Sequence, residues 1–197
     1  MKKILLTAAA VAALSSSTVL ANESDWFVKA NIGASKIQKN NGFKSDTGGI
    51  AAIGFGYYFM DNLRADLTLD HLFSSKAKKT DATNRYRSKA DANTLLFNVY
   101  ADLADMSMMK FFVGAGAGTS RVGAKTTITD ISTSAVSVVK VKKKNAFSYA
   151  LHAGVSSEFD HGMHAELTYS FKDYGKKITM EKRLVSHNVT AGIRFDI

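Results

Sequence analysis

The stretch Leu184-Val185-Ser186-His187-Asn188-Val189-Thr190-Ala191-Gly192-Ile193-Arg194-Phe195-Asp196-Ile197 decides the fold. Val185, His187, Val189, Ala191, Ile193, Phe195 and Ile197 hold one parity; Ser186, Asn188, Thr190, Gly192, Arg194 and Asp196 hold the other. Successive side chains of a strand point to opposite faces, so a strict period of two describes a strand with one apolar and one polar face. Leu63–Phe73 repeats the pattern, with Leu63, Ala65, Leu67, Leu69, His71 and Phe73 set against Arg64, Asp66, Thr68, Asp70 and Leu72.

Extended along the chain, the same reading predicts eight strands: Trp26–Ile37, Gly48–Phe59, Leu63–Phe73, Ala92–Leu103, Phe111–Val122, Ala146–Phe159, Met163–Tyr174 and Leu184–Ile197. Each is longer than the usual soluble strand and close to the length of a tilted membrane crossing. The connections at 60–62, 104–110 and 160–162 are short, whereas those at 38–47, 74–91, 123–145 and 175–183 are long. Short turns at one end and long loops at the other, with an even strand number, predict an all-β, eight-stranded antiparallel up-and-down transmembrane β-barrel.

Composition is consistent with that architecture. The 197 residues contain no Cys and no Pro, so disulfide scaffolds, thiolate metal sites and cysteine nucleophiles are excluded. Absence of Pro suits long backbone ladders, because Pro removes a ladder donor. At the N-terminus, Lys2 and Lys3 precede an apolar stretch and the small residues before Asn22, the layout of a secretory signal. We expect residues 1–21 to be cleaved and residues 22–197 to form the barrel. Nothing later is apolar for the roughly 20 residues a spanning helix needs. A membrane-embedded mature chain must then be a closed barrel, because lipid satisfies no open sheet edge.

Alternation alone leaves open a soluble barrel with its apolar face inward. Three features favour the inverted arrangement. Charge is confined to one parity: Lys29, Arg64, Asp66, Asp70, Asp102, Glu158, His164, Glu166, Lys172, Arg194 and Asp196. A charge facing lipid at mid-depth costs roughly 2–4 kcal/mol, so a bilayer enforces such confinement. Aromatics of the apolar parity gather at strand ends: Trp26, Tyr57, Phe59, Phe111, Phe159 and Phe195 at the short-turn rim, and Phe73, Phe147, Tyr149, Tyr169 and Phe171 at the other. Finally, Gly54, Gly56, Gly114, Gly116, Gly118 and Gly154 lie in the polar parity, where glycine makes room for bulky neighbours in a narrow interior.

Inside so narrow a barrel, Arg64, Asp66, Asp70, Glu166 and Arg194 are expected to pair across the lumen, since an unpaired buried charge is costly. A structural plug is favoured over an ion path, because only wider barrels leave an aqueous channel. His164, Glu166 and Glu158 give no converging set of three or four metal ligands, and no cofactor is implied. Ser186-His187-Asn188 raises a lipid A hydrolase as the least favoured reading, but adjacent strand residues face opposite ways, so no activated nucleophile is specified. The expectation is a protein without enzymatic activity.

Charge concentrates in the long connections. Lys76, Lys78, Lys79, Arg85, Arg87 and Lys89 face two acids in 74–91, for +4. Lys125, Lys140, Lys142, Lys143 and Lys144 face Asp130 in 123–145, again +4, and Lys176, Lys177, Lys182 and Arg183 face Glu181 in 175–183, for +3. Such a rim attracts polyanions and acidic segments over about one Debye length, roughly 8 Å at physiological salt. Candidate partners are acidic stretches of host proteins, sulfated glycans, and the lipopolysaccharide and lipid of its own membrane. Nucleic acid is rejected, since the chain is read as exported and carries no aromatic reading surface. Within the third long connection, 126–131 and 135–141 are β-prone and predict a two-stranded outward arm carrying Lys140–Lys144.

The segments Gly56-Tyr57-Tyr58, Asn62-Leu63-Arg64-Ala65-Asp66-Leu67-Thr68-Leu69, Phe112-Val113-Gly114-Ala115-Gly116-Ala117-Gly118 and Ser186 to Ile197 resemble the opacity and OmpA-like outer-membrane β-barrel family, in particular the rickettsial surface adhesins. The resemblance covers the whole mature chain, with the final strand its most specific part. It implies an eight-stranded barrel whose loops bind host-cell or serum proteins, vitronectin-like ligands among them; with the short turns and both chain ends at one side, we expect a monomer in a bacterial outer membrane with extracellular loops and periplasmic termini. No loop motif of the family transfers residue by residue. A purely structural envelope barrel and a small channel are the alternatives.

Overall fold

The computed structural model describes residues 25–38, 44–45, 47–80, 84–106, 109–130, 136–175 and 184–197. These form β1 (Trp26–Ile37), β2 (Lys44–Ser45), β3 (Thr47–Met60), β4 (Leu63–Thr80), β5 (Asn84–Met106), β6 (Met109–Asp130), β7 (Val136–Asp160), β8 (Met163–Asp173) and β9 (Val185–Asp196). Every pairing is antiparallel, in the order β4-β3-β1-β9-β8-β7-β6-β5, and β4 pairs with β5 to close the ring. The eight long strands thus make a barrel without a free edge, and β2 is a two-residue addition to β4 at Lys44↔Lys78 and Ser45↔Ala77. Residues 1–21, read as a signal segment, lie outside the described residues.

Apolar side chains are on the outside. Ile32 is 71% exposed, Leu67 51% and Val189 52%, whereas Asp66 and Arg194 are each 2% exposed and Asn188 is fully enclosed. The belt residues Trp26, Phe59, Phe111 and Phe159 at one rim, and Phe73, Phe147 and Tyr169 at the other, also lie on the outer face.

Glycines on the inner face meet large rings across the sheet. Gly114 stands opposite Tyr100 and Gly154 opposite Phe112 in register. A Cβ on Gly154 would come within 2.5 Å of Phe112 Cζ, and one on Gly114 would overlap the Tyr100 ring. At the tight turn after β7, Gly162 adopts φ +71°, a conformation glycine takes without steric cost.

The strand ends depart from the sequence expectation in one region. The stretches 74–91 and 123–145, read as long loops, are largely strand. The pairing of β4 with β5 runs out to Thr80↔Arg85, that of β5 with β6 to Asn84↔Asp130, and that of β6 with β7 to Thr129↔Val136. The outward arm is therefore a four-stranded sheet, not a two-stranded ribbon. Charge did not prevent pairing: the ladder is made by the backbone, and along β4 and β5 the positions Lys76, Lys78, Arg85, Arg87 and Lys89 take one register parity and Lys79 the other. Irregularities at Leu72/Ser75 on β4 and opposite Val122/Ala124 on β7 mark where the barrel becomes the arm.

The interior also changes character along its length. Toward the arm the inward parity becomes apolar, and Ile50, Leu72, Ala92, Val122 and Tyr174 pack together with Ile37 and Leu184 against them. This apolar cap was not expected from the charge pattern, which holds for the lumen below this cluster.

Candidate functional site

Below the cap, ionic groups fill the lumen. Arg64 Nη1 lies 2.7 Å from Glu166 Oε1, and Arg194 Nη1 bonds the same carboxylate oxygen. Each guanidinium lies over aromatic rings: Arg64 Cζ is 4.8 Å from the Phe112 centroid and 5.1 Å from that of Tyr100, and Arg194 Cζ is 5.5 Å from Tyr58. Planar, weakly hydrated guanidinium suits that dry stacking better than ammonium does. Of the five interior residues singled out from the sequence, Arg64, Glu166 and Arg194 therefore form one cluster.

Asp66 and Asp70 have different partners. Lys29 pairs with Asp66, and Lys172 pairs with Asp70. Asp66 Oδ1 also accepts from Thr68 Oγ1 and Asn98 Nδ2, each at 2.7 Å, while Lys29 Nζ donates to Tyr100 Oη at 3.0 Å. Since Asn98 donates through its amide nitrogen, its oxygen accepts from His152 Nε2 at 3.2 Å, and His152 Nδ1 then accepts from Ser170 Oγ at 2.9 Å. Lys29 and Lys172 share the inward parity and so were visible as candidates. Asn98, Tyr100 and His152 are inward by the same alternation, but nothing in their spacing announced a network.

The residues weighed against lipid A hydrolysis and metal binding take other partners. Ser186 is enclosed and donates to Asn188 Oδ1 at 3.1 Å, whereas His187 lies on the outer face, its Nδ1 2.7 Å from Tyr169 Oη. His164 Nε2 meets Asp196 Oδ2 at 2.9 Å, and Asp196 Oδ1 lies 3.7 Å from Arg194 Nε at the edge of the Arg64–Glu166–Arg194 cluster; Glu158 is exposed near the turn. Among the described residues no three His, Asp or Glu converge as metal ligands. A cavity of about 30 Å³ remains between Lys29, Asp70, His152 and Lys172, enough for about two waters.

At the opposite scale lies the cationic arm. Register places Lys76↔Lys89, Lys89↔Lys125 and Lys125↔Lys140, so one lysine from each of β4, β5, β6 and β7 stands in a transverse row. A second row, Lys78↔Arg87, lies two residues farther out on the same face, with Lys44 beside Lys78. Arg85 continues that face and Lys79 lies on the other. Lys142 and Lys143 occupy the irregularity between Val141↔Ala124 and Lys144↔Val122, at the base of the arm; its outer part on β7 is Val136, Ser137 and Val138. Of the residues expected along the arm, Lys140 is paired within it and Lys142, Lys143 and Lys144 lie at its base. Lys176, Lys177, Lys182 and Arg183 lie outside the described residues.

A closed cylinder of this kind, with aliphatic residues and aromatic belts outside and ion pairs within, is an integral membrane β-barrel. The chain belongs to the outer membrane β-barrel protein family: residues 5–195 match the model described as "Outer membrane protein beta-barrel domain". It is similar to a Rickettsia bellii protein named "Putative adhesin", with 35% identity over 229 residues covering all of both chains. Among solved structures it is similar to Neisserial surface protein A, at 18% identity and TM-score 0.61, covering 88% of this chain and 98% of that one. It is also similar to the attachment invasion locus protein of Yersinia pestis, at 13% identity and TM-score 0.51, covering 88% and 100%. These two structural likenesses show the fold.

Proposed function

We propose that the protein is an outer-membrane adhesin: a plugged, non-enzymatic and monomeric barrel whose basic hairpins face the exterior and bind acidic segments of host-cell surface or serum proteins. In this reading residues 1–21 are removed on export and both mature termini are periplasmic. The observation that carries it is the one-sided placement of charge. The cations of 74–91 and 123–145 lie on strands that project from one end of the barrel, while Asp61-Asn62 and His161-Gly162 make tight turns at the other. A concentrated positive field at a projecting sheet raises the encounter rate with acidic surfaces and rejects basic ones. The names given to the relatives support the same reading. The ion-paired lumen and its apolar cap support a plug over a channel.

The test is binding of the folded, purified protein to host cells and to immobilised serum proteins, vitronectin among them. Replacing Lys78, Lys79, Arg85 and Arg87 by Gln, together with Lys176, Lys177, Lys182 and Arg183, should weaken binding by about tenfold or more and flatten its salt dependence. Binding that is unchanged in this variant contradicts the basic-hairpin mechanism. A purely structural envelope barrel, the reading favoured by the lumen alone, predicts no saturable binding to any of these partners at any salt concentration.

A further inference from the structure

The ring closes where the first strand, β1, meets the last, β9, over the register from Phe27↔Asp196 to Ile37↔Ser186. On the inner face of that junction Lys29 stands directly opposite Arg194, and both are buried. Among the described residues, no other junction of the barrel sets Lys or Arg against Lys or Arg, or one carboxylate against another, on its inner face. Asp66 stands between Gly56 and Asn98, for example, and Glu166 between Gly192 and Ser156. His164, which faces Arg194 from β8, is held by Asp196 at 2.9 Å.

Directly opposed residues bring their Cβ atoms to about 4.5–5.5 Å, and like charges at that distance oppose strand pairing. In the closed barrel the two cations lean away from each other. Lys29 crosses the inner face of β3 to pair with Asp66 on β4, and Arg194 turns the other way to bond Glu166 on β8. Gly54 on β3 leaves room for that crossing: an added Cβ would come within 3.0 Å of both Lys29 Cε and Thr68 Oγ1. The carboxylates that separate the cations therefore belong to strands outside the junction.

The inner face of the junction offers little to offset this repulsion. Asn31 Oδ1 and Ser35 Oγ, both on β1, and Arg194 Nε are buried and find no hydrogen-bond partner among the described residues. Two contacts cross the junction: Arg194 Cζ lies 5.7 Å from the Phe27 ring centroid, and Tyr58 Oη donates to Asp196 Oδ1 at 3.1 Å. Neither brings an anion to Lys29. The second carboxylate near Arg194, Asp196, is on its own strand and 3.7 Å from Nε. Ladder hydrogen bonds hold the seam together, and the opposed charges work against them.

We infer that the β1–β9 junction is a conditional seam, closed firmly only while Asp66 and Glu166 draw Lys29 and Arg194 apart. Loss of the Asp66 charge leaves Lys29 facing Arg194 across a strand spacing of about 4.8 Å. The sheet then gives way at the seam, two strands from the altered residue. An ordinary ion pair has a different signature, in which removal of either partner harms the surroundings of the one that remains. The two cases separate at Lys29→Met. That change takes a cation out of the seam, but it leaves Asp66 unpaired on β4.

The experiment is amide hydrogen exchange, read residue by residue by NMR on the folded full-length protein in detergent micelles. Asp66→Asn should speed exchange of the β1–β9 ladder amides by about tenfold or more, with the β6–β7 ladder staying within about twofold of wild type. Lys29→Met should leave the seam as protected as in wild type, and adding it to Asp66→Asn should restore that protection. Unchanged seam protection in Asp66→Asn overturns the inference. So does a rise shared equally by β6–β7, which means global loss of stability, or a seam opened as far by Lys29→Met as by Asp66→Asn. Should Asp66→Asn alone fail to fold, a folded double variant with a protected seam upholds the inference, and a double variant that also fails overturns it.

Discussion

Glu166 shares one carboxylate oxygen between the guanidinium groups of Arg64 and Arg194 in a lumen where all three are buried. Glu166→Gln keeps the shape and removes the charge, leaving Arg64 and Arg194 with only their longer contacts to Asp102 at 3.8 Å and Asp196 at 3.7 Å. Breaking a buried pair from one side costs about 3–5 kcal/mol, whereas replacing a whole cluster by apolar groups is often neutral. We therefore predict that Glu166→Gln destabilises the barrel by about 3–5 kcal/mol in urea unfolding from lipid, and that the triple change Arg64→Met, Glu166→Leu, Arg194→Met recovers most of the loss. Equal stability of Glu166→Gln and wild type would contradict the ion-paired plug. At this scale alternation revealed which residues enter the lumen, but not whom they meet. Asp66 finds Lys29 two strands away, and Asp70 finds Lys172 across the lumen, because strand tilt and stagger decide which inward residues share a level. A period of two carries no information about stagger.

Among the elements, β7 is the longest, at 25 residues, and its outer part is paired on one side only among the described residues. Its partnership with β8 begins at Tyr149↔Asp173, where Gly175, at φ +83°, turns the chain in against Ala146. The edge beyond reads Val136-Ser137-Val138-Val139-Lys140-Val141-Lys142-Lys143-Lys144, apolar β-formers closed off by lysines and a strand irregularity. Charged residues and bulges are the usual protection of an exposed edge. Replacing Lys140, Lys142, Lys143 and Lys144 by Thr should promote edge-to-edge association of barrels, read as a shift to larger species in light scattering of the detergent-solubilised protein. A monodisperse variant would contradict that role. The arm was only half legible in the sequence. Thr126, Thr127, Val138 and Val139 announced strand, but the cations of 74–91 masked an equally regular hairpin, because charge was read as solvation although all but Lys79 take one register parity.

For the molecule as a whole, the decisive information lay in the strict alternation of β4 and β9 and in the contrast between short and long connections. These fixed strand number, antiparallel order and the inverted distribution of polarity, since each is a consequence of local chain geometry. The apolar cap of Ile50, Leu72, Ala92, Val122 and Tyr174 was not legible, because those residues sit in a parity otherwise polar and converge only when the ring closes. The partner of the basic hairpins is unspecified for a related reason: charge defines an attraction and a range, not a shape.

Because the chain has no cysteine, single labelling sites can be introduced without background. Val189 and Thr190 are neighbours in β9, 52% and 7% exposed. With the protein in lipid vesicles, a spin label at Val189→Cys should collide freely with oxygen dissolved in the bilayer and be protected from a water-soluble nickel chelate, while Thr190→Cys should be shielded from both. The reverse pattern, with position 189 enclosed and 190 meeting lipid or water, would contradict the inverted barrel.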